Sequence, residues 1–137
     1  MKYSRVYLDT IGYELAPVVV TSEELEARLE PLYEALHIPP GQLEAITGIH
    51  ERRWWEPDYS LSRGATLAAQ KAIEISSVRP QDVDVLIYAG VCRENFEPAT
   101  ACSVAAGLGV NSSAAIYDVS NACLGVMNGV LDIANRI

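Results

Sequence analysis

The residue best suited to covalent chemistry is Cys123, which lies where a predicted strand passes into a predicted helix. The apolar run 115–119 is typical of a short buried strand, and a tight turn follows at 120–123. Apolar residues then recur at helical spacing as far as Ile137. A helix start has unpaired backbone N–H groups and a positive dipole end, so a thiol there ionises more readily and becomes a nucleophile. The spacing therefore predicts a cysteine placed for covalent catalysis on an acyl group.

Two further runs are typical of core strands and define the fold class. The continuous apolar run 83–89 indicates a parallel strand covered on both faces, and the loosely alternating stretch 5–12 predicts a strand before it. With the strand at 115–119 and helical stretches between them, they give the α/β pattern with a parallel sheet. Sites in such sheets form beyond the carboxyl ends of the strands. Cys123 lies at such an end, and so does Glu97, in the loop after the second core strand.

The helices that separate these strands are predicted from caps and breakers. Thr21 and Glu24 form a capping box, and Pro31 should kink or split the helix that follows. Two stretches are predicted to lack strands, the connection 13–20 and the polar, aromatic loop 50–59. The apolar stripe of the first helix is Leu25, Leu29, Leu32 and Leu36. The remaining predicted helices are one turn at 42–46 that Gly48 ends, a helix from Ser60 or Ser62 to about Ile75, and one from about Pro98 to Gly107 or Gly109.

The charge and length of the chain exclude several classes of protein. A formal net charge of −8 argues against nucleic acid and against an anionic membrane surface, since both require basic residues. The N-terminus lacks the apolar core of a signal peptide, and no apolar run is long enough to span a bilayer. We therefore expect a cytoplasmic protein with no membrane or nucleic-acid partner. A length of 137 residues suffices for one ordinary domain but not for two.

The other cysteines and the histidines have no comparable context. Three cysteines without a CxxC pair indicate reduced thiols rather than a disulfide framework. Cys92 and Cys102 are predicted to be packing residues. No metal-ligand cluster forms around His37 or His50, so no metal site is expected.

Three motifs, in this order, carry a family resemblance. They are 47–52, Thr-Gly-Ile-His-Glu-Arg; 98–102, Pro-Ala-Thr-Ala-Cys; and 118–125, Asp-Val-Ser-Asn-Ala-Cys-Leu-Gly. With them the chain resembles the N-terminal part of thiolase-fold condensing enzymes, in the chalcone and stilbene synthase-like superfamily. It is most similar to the 3-oxoacyl-[acyl-carrier-protein] synthase III group and its acyl-CoA-condensing relatives. The resemblance implies an α/β thiolase-like fold, of which residues 1–137 are the N-terminal portion of one half, with three core strands in an incomplete sheet.

The resemblance also implies a mechanism. In this family the cysteine is acylated by an acyl-CoA, and a second acyl donor then attacks the thioester as a carbanion. Cys123 matches that cysteine, whereas the family's catalytic His and Asn lie far downstream, and neither His37 nor His50 matches them. We expect acyl-CoA as a substrate, no bound cofactor, acyl-carrier protein as a candidate partner, and a homodimer. The chain is expected to be a fragment that is inactive alone.

Glu97 has two interpretations. In the synthase III group an apolar residue usually stands here and extends across the dimer into the partner's acyl pocket. The carboxylate, between Phe96 and Pro98, resembles instead the enzymes that condense two long-chain acyl-CoAs head to head, where it is proposed to remove an α-proton across the dimer. A partly buried glutamate can act as such a base. The alternative is a solvated loop carboxylate that favours the dipole of the following helix.

Three functions therefore stay open. The first is a Claisen-condensing acyltransferase of the synthase III type in fatty acid biosynthesis. The second is head-to-head condensation of two acyl-CoAs with Glu97 as base. The third is a non-catalytic thiolase-fold partner subunit, although such subunits typically lose the cysteine.

The residues that would bind CoA are unassigned. The family's CoA-gripping Trp and Arg fall on Gln42 and Ile46, while Trp54 and Trp55 could offer an aromatic surface. Four other residues are predicted to have structural roles: Asp118 as a hydrogen-bonding residue of the nucleophile turn, Gly125 for close backbone approach, and Arg52 and Arg53 as surface or structural residues.

Overall fold

The computed structural model describes residues 2–137, which form four short strands and six helices. In chain order these are β1 (Val18–Thr21), α1 (Ser22–Arg28), α2 (Glu30–Ala35), α3 (Gln42–Thr47), β2 (Glu51–Trp54), α4 (Leu61–Glu74), β3 (Val85–Ala89), α5 (Thr100–Leu108), β4 (Ala115–Val119) and α6 (Gly125–Arg136). They divide into two compact units. The larger unit contains the residues up to Glu14 together with Ser60–Ile137, and the smaller unit is Leu15–Tyr59.

A two-stranded parallel sheet forms the centre of the larger unit. Strands β3 and β4 pair in register from Val85 opposite Ala115 to Ala89 opposite Val119. Helices α5 and α6 both pack on these strands, and α4 packs on α5. The α/β class is therefore confirmed, as are the two apolar runs as parallel strands and the helix that begins at the Ser60 cap.

The predicted strand at 5–12 is wrong. Within the described residues, this stretch belongs to neither sheet. It packs along α4 instead, where the Thr10 Oγ1 donates a hydrogen bond to the Ala72 carbonyl at 3.0 Å. Ile11 remains 69% exposed. Alternation of apolar residues forms a strand only where a neighbouring strand edge is available for a ladder, and this stretch lies on a helix.

The local signals of the smaller unit are confirmed. The Glu24 backbone N–H donates to the Thr21 Oγ1 at 3.1 Å, and the Thr21 N–H donates to the Glu24 carboxylate at 2.8 Å, which is the predicted capping box. Pro31 splits the helix, since α1 ends before it and α2 carries it in its first turn. Gly48 ends α3 with φ of 67°, a left-handed conformation that glycine adopts without strain.

Two segments that were predicted to lack strands contain an antiparallel pair. Strand β1 begins inside the predicted connection 13–20 and ends one residue after it, and β2 lies inside the predicted loop 50–59. They pair from Val18 opposite Trp54 to Thr21 opposite Glu51. The two predictions are therefore wrong at these positions. The sequence of β2 did not indicate a strand because it is polar. One face of the β1–β2 pair is open to water, and the buried face is formed by β1, where Val20 is 2% exposed.

One of the buried side chains of the smaller unit is a carboxylate. The predicted leucine stripe is largely exposed, with Leu32 at 50%, whereas Glu26 is only 8% exposed. Its carboxylate accepts hydrogen bonds from the Gly41 and Leu43 backbone N–H groups, both at 2.6 Å, and from the Tyr33 hydroxyl at 3.2 Å. The backbone N–H groups of Leu43 and Gly41 hold the pKa of Glu26 below its ordinary value. Glu26 therefore connects α1 to the start of α3.

We expect Glu26→Gln to loosen the start of α3, because an amide presents one acceptor and one donor where two N–H groups need acceptors. Amide hydrogen exchange at Gly41 and Leu43 should accelerate. Because the folded-state pKa lies below the ordinary 4.5, the stabilisation is complete above that value and is lost as the pH falls below it. Glu23→Gln, an exposed change on the same helix, is the control. Unchanged exchange in Glu26→Gln would contradict this role.

Gly12 lets the backbone of the stretch 5–12 lie close to the backbone of α4. A Cβ atom there would lie 2.2 Å from the Ala68 carbonyl oxygen and 2.5 Å from the Ala72 nitrogen, both backbone atoms of the helix. We predict that Gly12→Ala lowers the free energy of unfolding by about 1–3 kcal/mol through overpacking. Chemical denaturation measures this. Gly125→Ala is the matched control, because a Cβ atom there meets only the Val119 carbonyl oxygen at 3.6 Å; equal losses in both variants would refute the assignment.

Candidate active site

Cys123 lies in the turn between β4 and α6, as predicted. Strand β4 ends at Val119, a single 3₁₀ turn spans Ala122–Leu124, and α6 begins at Gly125. The Leu124 backbone N–H donates to the Asn121 carbonyl at 2.9 Å, which closes this turn. The Cys123 side chain is an exposed free thiol. The structure therefore places this thiol at the amino end of α6.

Ala122, the residue before Cys123, has a strained backbone that the sequence did not indicate. Ala122 has φ of 41°, in the left-handed region that alanine rarely adopts. Such conformations cluster at functional sites, where surrounding contacts hold them in place. Here the Asn121 side-chain amide donates to the Asn128 side-chain oxygen at 2.6 Å and so ties the turn to α6. Alanine carries no sequence signal for this conformation.

Glu97 lies in the loop between β3 and α5, and Cys123 lies in the turn that follows β4. The Gly90 backbone N–H donates to the Val119 carbonyl at 3.2 Å, so the loop that follows β3 and the turn that follows β4 leave from adjacent positions. Glu97 is exposed in this loop, and Phe96 beside it is 94% exposed. The structure therefore brings both predicted site residues to the carboxyl ends of neighbouring parallel strands.

Asp118 binds the start of α5, not the nucleophile turn. Its carboxylate accepts hydrogen bonds from the Thr100 backbone N–H at 2.9 Å and the Ala101 backbone N–H at 2.8 Å. The predicted role in the turn is therefore wrong. The reason is that the N-cap residue of α5 is Ala99, whose side chain accepts no hydrogen bond, so the unpaired N–H groups of this helix take a carboxylate from β4.

Glu94 makes the corresponding contact at the start of α4. Its carboxylate accepts a hydrogen bond from the Ser60 hydroxyl, and its backbone N–H donates to the Thr100 Oγ1 at 3.3 Å. Hydrogen bonds from the hydroxyls of Ser60 and Ser62, and then from backbone N–H groups of α4, hold the pKa of Glu94 below its ordinary value. Sequence reasoning missed Glu94, because its partners lie more than thirty positions earlier in the chain.

Two smaller predictions need correction. Cys92 is exposed, so it is not a packing residue, whereas Cys102 is half-buried in α5. Gly125 has an ordinary helical φ of −54°, and a Cβ atom there would lie at an ordinary contact distance of 3.6 Å from the Val119 carbonyl oxygen, so close approach does not require a glycine.

The arginines and aromatic residues singled out in the sequence form contacts within the smaller unit. Arg52 donates to the Ser22 hydroxyl at 2.9 Å, and Arg53 pairs with Glu51 at 3.0 Å, which agrees with their predicted structural roles. The remaining contacts are the Arg28 guanidinium over the Trp54 ring at 5.3 Å and Trp55 stacked on Tyr59 at 4.0 Å.

Both histidines lie in the smaller unit. His50 pairs with the Glu44 carboxylate at 3.1 Å, and His37 is exposed. Among residues 2–137, no group of three or more His, Cys, Asp or Glu side chains is arranged to hold a metal ion. None of the helices in this part of the chain is both long enough and apolar enough to cross a bilayer.

The known proteins that resemble this chain in sequence and in structure agree with one another. No family model matches the chain. The acyl-CoA:acyl-CoA alkyltransferase of Shewanella oneidensis is 59% identical over 137 residues, which are the whole of this chain and 39% of that protein. The acyl-CoA:acyl-CoA alkyltransferase of Xanthomonas campestris pv. campestris is 38% identical over 137 residues and 40% of its own length. The chain thus spans about 40% of the length of these curated relatives.

Solved structures agree with the sequence relatives. OleA of Xanthomonas campestris with bound cerulenin matches with a TM-score of 0.88 and 38% identity, over 98% of this chain and 39% of that one. The 3-oxoacyl-(acyl carrier protein) synthase III of Xanthomonas oryzae pv. oryzae matches with a TM-score of 0.88 and 38% identity, over 99% of this chain and 40% of that one. The chain is therefore an α/β protein with a thiolase-like fold. Its sequence and structure resemble the N-terminal part of thiolase-fold condensing enzymes, of which it spans about 40% of the length.

We predict that Cys123 and Cys92 react with iodoacetamide in the folded chain, whereas Cys102 reacts at least several-fold more slowly, since only the first two are exposed. Peptide mass spectrometry over a time course measures each site separately. The same chain in denaturant is the control, in which all three cysteines should react alike. Protection of Cys123 equal to that of Cys102 would contradict the open turn that the structure shows.

Proposed function

We propose that this chain supplies the nucleophile and the base of an enzyme that condenses two acyl-CoA molecules head to head. The exposed Cys123 at the amino end of α6 is the observation that carries the proposal. The acyl-CoA:acyl-CoA alkyltransferase of Shewanella oneidensis, 59% identical to the chain, supports this substrate pair. The His and Asn that complete the site would come from residues beyond this chain, so residues 1–137 alone should not turn over.

The proposed reaction has two stages. In the first, the Cys123 thiolate attacks the thioester carbonyl of one acyl-CoA, a thioester to Cys123 forms, and the CoA thiolate leaves. In the second, the Glu97 carboxylate takes an α-proton from the other acyl-CoA. The resulting carbanion attacks the carbonyl of the acyl-cysteine, a carbon–carbon bond forms, and the Cys123 thiolate leaves. The product is a 2-alkyl-3-oxoacyl-CoA.

The need for a base distinguishes this reaction from the synthase III reaction. Malonyl-acyl-carrier protein makes its carbanion by losing carbon dioxide, whereas an ordinary acyl-CoA has no carboxyl group to lose and needs a general base. Glu97 is a carboxylate at the required edge of the sheet, which favours the acyl-CoA pair. Structures of OleA include variants in which a glutamate or a cysteine is replaced. Those two positions are separated by the same number of residues as Glu97 and Cys123, which supports the assignment.

In this proposal the protein is a homodimer in which Glu97 acts in the partner's site. Phe96 is 94% exposed and Glu97 is exposed beside it, and in this arrangement a second copy of the protein would cover both. In this proposal acyl-CoA is the substrate, no cofactor is bound, and acyl-carrier protein is not required. The synthase III reaction remains the alternative, since a synthase III structure matches with the same TM-score as OleA.

The test uses the full-length protein that carries this chain, with a saturated long-chain acyl-CoA. Mass spectrometry of the intact protein should show one acyl group, which is absent in Cys123→Ala and retained in Cys92→Ala. Glu97→Gln should keep the acyl group yet lose condensation by a factor of about a hundred or more, because removing a general base costs about 10²–10⁴. Glu23→Gln is the matched control and should change neither step.

Two outcomes would overturn the proposal. Absence of an acyl group on Cys123 would remove the nucleophile. Product formed only with malonyl-acyl-carrier protein would favour the synthase III alternative instead.

A further inference from the structure

The loop that carries Glu97 is held at its two ends by side chains from other elements. Within residues 2–137 the Glu97 side chain makes no hydrogen bond or ion pair, so its position depends on the backbone that carries it. Glu94, three residues before it, is fixed to the start of α4 through the Ser60 hydroxyl. Thr100, three residues after it, is fixed to β4 through the Asp118 carboxylate.

These two attachments are joined to each other and to the strand that ends at the nucleophile turn. The Glu94 backbone N–H donates to the Thr100 Oγ1 at 3.3 Å, which closes the loop between the two attachments. Strand β4 ends at Val119, and Asp118 is the residue before it. In the parallel ladder Asp118 is opposite Tyr88. The Tyr88 hydroxyl donates to the Cys92 carbonyl at 3.2 Å, at the first part of the same loop.

We propose that Asp118 and Glu94 are positioning residues that hold the Glu97 loop against the strand leading to Cys123. This inference rests on the proposed function, because Glu97 needs a fixed position only if it acts as the base. The physical reason is that a base must lie within hydrogen-bond distance of the proton that it removes. A misplacement of about 1 Å from a change remote from the reacting atoms can cost about a hundredfold in rate. Neither residue touches substrate in this scheme.

Both contacts use a carboxylate as the hydrogen-bond acceptor, Asp118 at the start of α5 and Glu94 at the start of α4. A carboxylate accepts the two N–H groups at the start of α5 in parallel and also favours the positive end of that helix, whereas an asparagine accepts only one of them. The same reasoning applies to Glu94 at the start of α4, where serine hydroxyls and backbone N–H groups keep the carboxylate ionised. Both substitutions preserve shape and remove the charge, so Asp118→Asn and Glu94→Gln are the informative variants.

The experiment separates the two steps in the full-length protein. With a long-chain acyl-CoA, Asp118→Asn and Glu94→Gln should leave the rate of Cys123 acylation within about twofold, while condensation falls by about tenfold to a hundredfold. Combined with Glu97→Gln, neither change should cause further loss, because the base that it positions is already absent. Asp82→Asn, which breaks only the surface pair with Arg79, is the matched control and should change neither step.

Hydrogen exchange provides a reading that does not depend on activity. Asp118→Asn should accelerate exchange at the Thr100, Ala101 and Glu94 amides and leave the Leu124 amide of the nucleophile turn unchanged. Equal loss of acylation and condensation, or full additivity with Glu97→Gln, would overturn the positioning role. If Asp118→Asn does not fold, Glu94→Gln carries the same test. Full condensation by Glu97→Gln itself would instead overturn the proposed base, whatever the exchange shows.

Discussion

Two backbone N–H groups at the start of α5 donate hydrogen bonds to one strand carboxylate, and the Glu97 loop depends on that contact. Asp118 accepts the Thr100 and Ala101 backbone N–H groups at 2.9 and 2.8 Å, and so joins β4 to the first turn of α5. Helix α5 is the most buried element of its unit, with Ala101 at 0% exposure. Its apolar sequence supplies no cap of its own, and buried N–H groups without acceptors cost about 1–3 kcal/mol each. The start of α5, where the Glu97 loop ends, therefore depends on a carboxylate of β4.

The turn that presents Cys123 combines access with strain. A left-handed alanine costs on the order of 1–3 kcal/mol, and a protein retains such a conformation only where neighbouring contacts impose it. At Ala122 those contacts are the 3₁₀ turn and the Asn121–Asn128 side-chain bond. The result is a thiol that projects from the end of a strand at the amino end of a helix. Some hydrolases place their nucleophile in a similar strand–turn–helix geometry, in which a sharp turn exposes the attacking atom.

The sequence correctly predicted the strands and helix ends that are determined by residues close together in the chain. The run 115–119 became β4 with the same bounds, and Ser60, Gly48 and the Thr21–Glu24 box cap helices as expected. Each of these depends on residues within about four positions. The position of Cys123 between a strand and a helix was predicted for the same reason, since strand, turn and helix lie in one continuous stretch.

Predictions failed where distant parts of the chain decide the structure. The stretch 5–12 alternates like a strand yet lies along α4, and the polar β2 is a strand only because β1 lies beside it. The anchors of the Glu97 loop are of the same kind. Asp118 reaches α5 from seventeen and eighteen positions away, and Glu94 reaches Ser60 from thirty-four. No local pattern distinguishes such a carboxylate from a solvated one.

The most direct test of the account is a crystal structure of the full-length protein acylated by one acyl-CoA with a second acyl-CoA bound. The account predicts a thioester between the Cys123 Sγ and the first acyl group. It also predicts a Glu97 carboxylate oxygen, from either protomer, within about 3.5 Å of the α-carbon of the second acyl group. An unmodified Cys123, or a Glu97 directed into solvent while both acyl chains are bound, would contradict it.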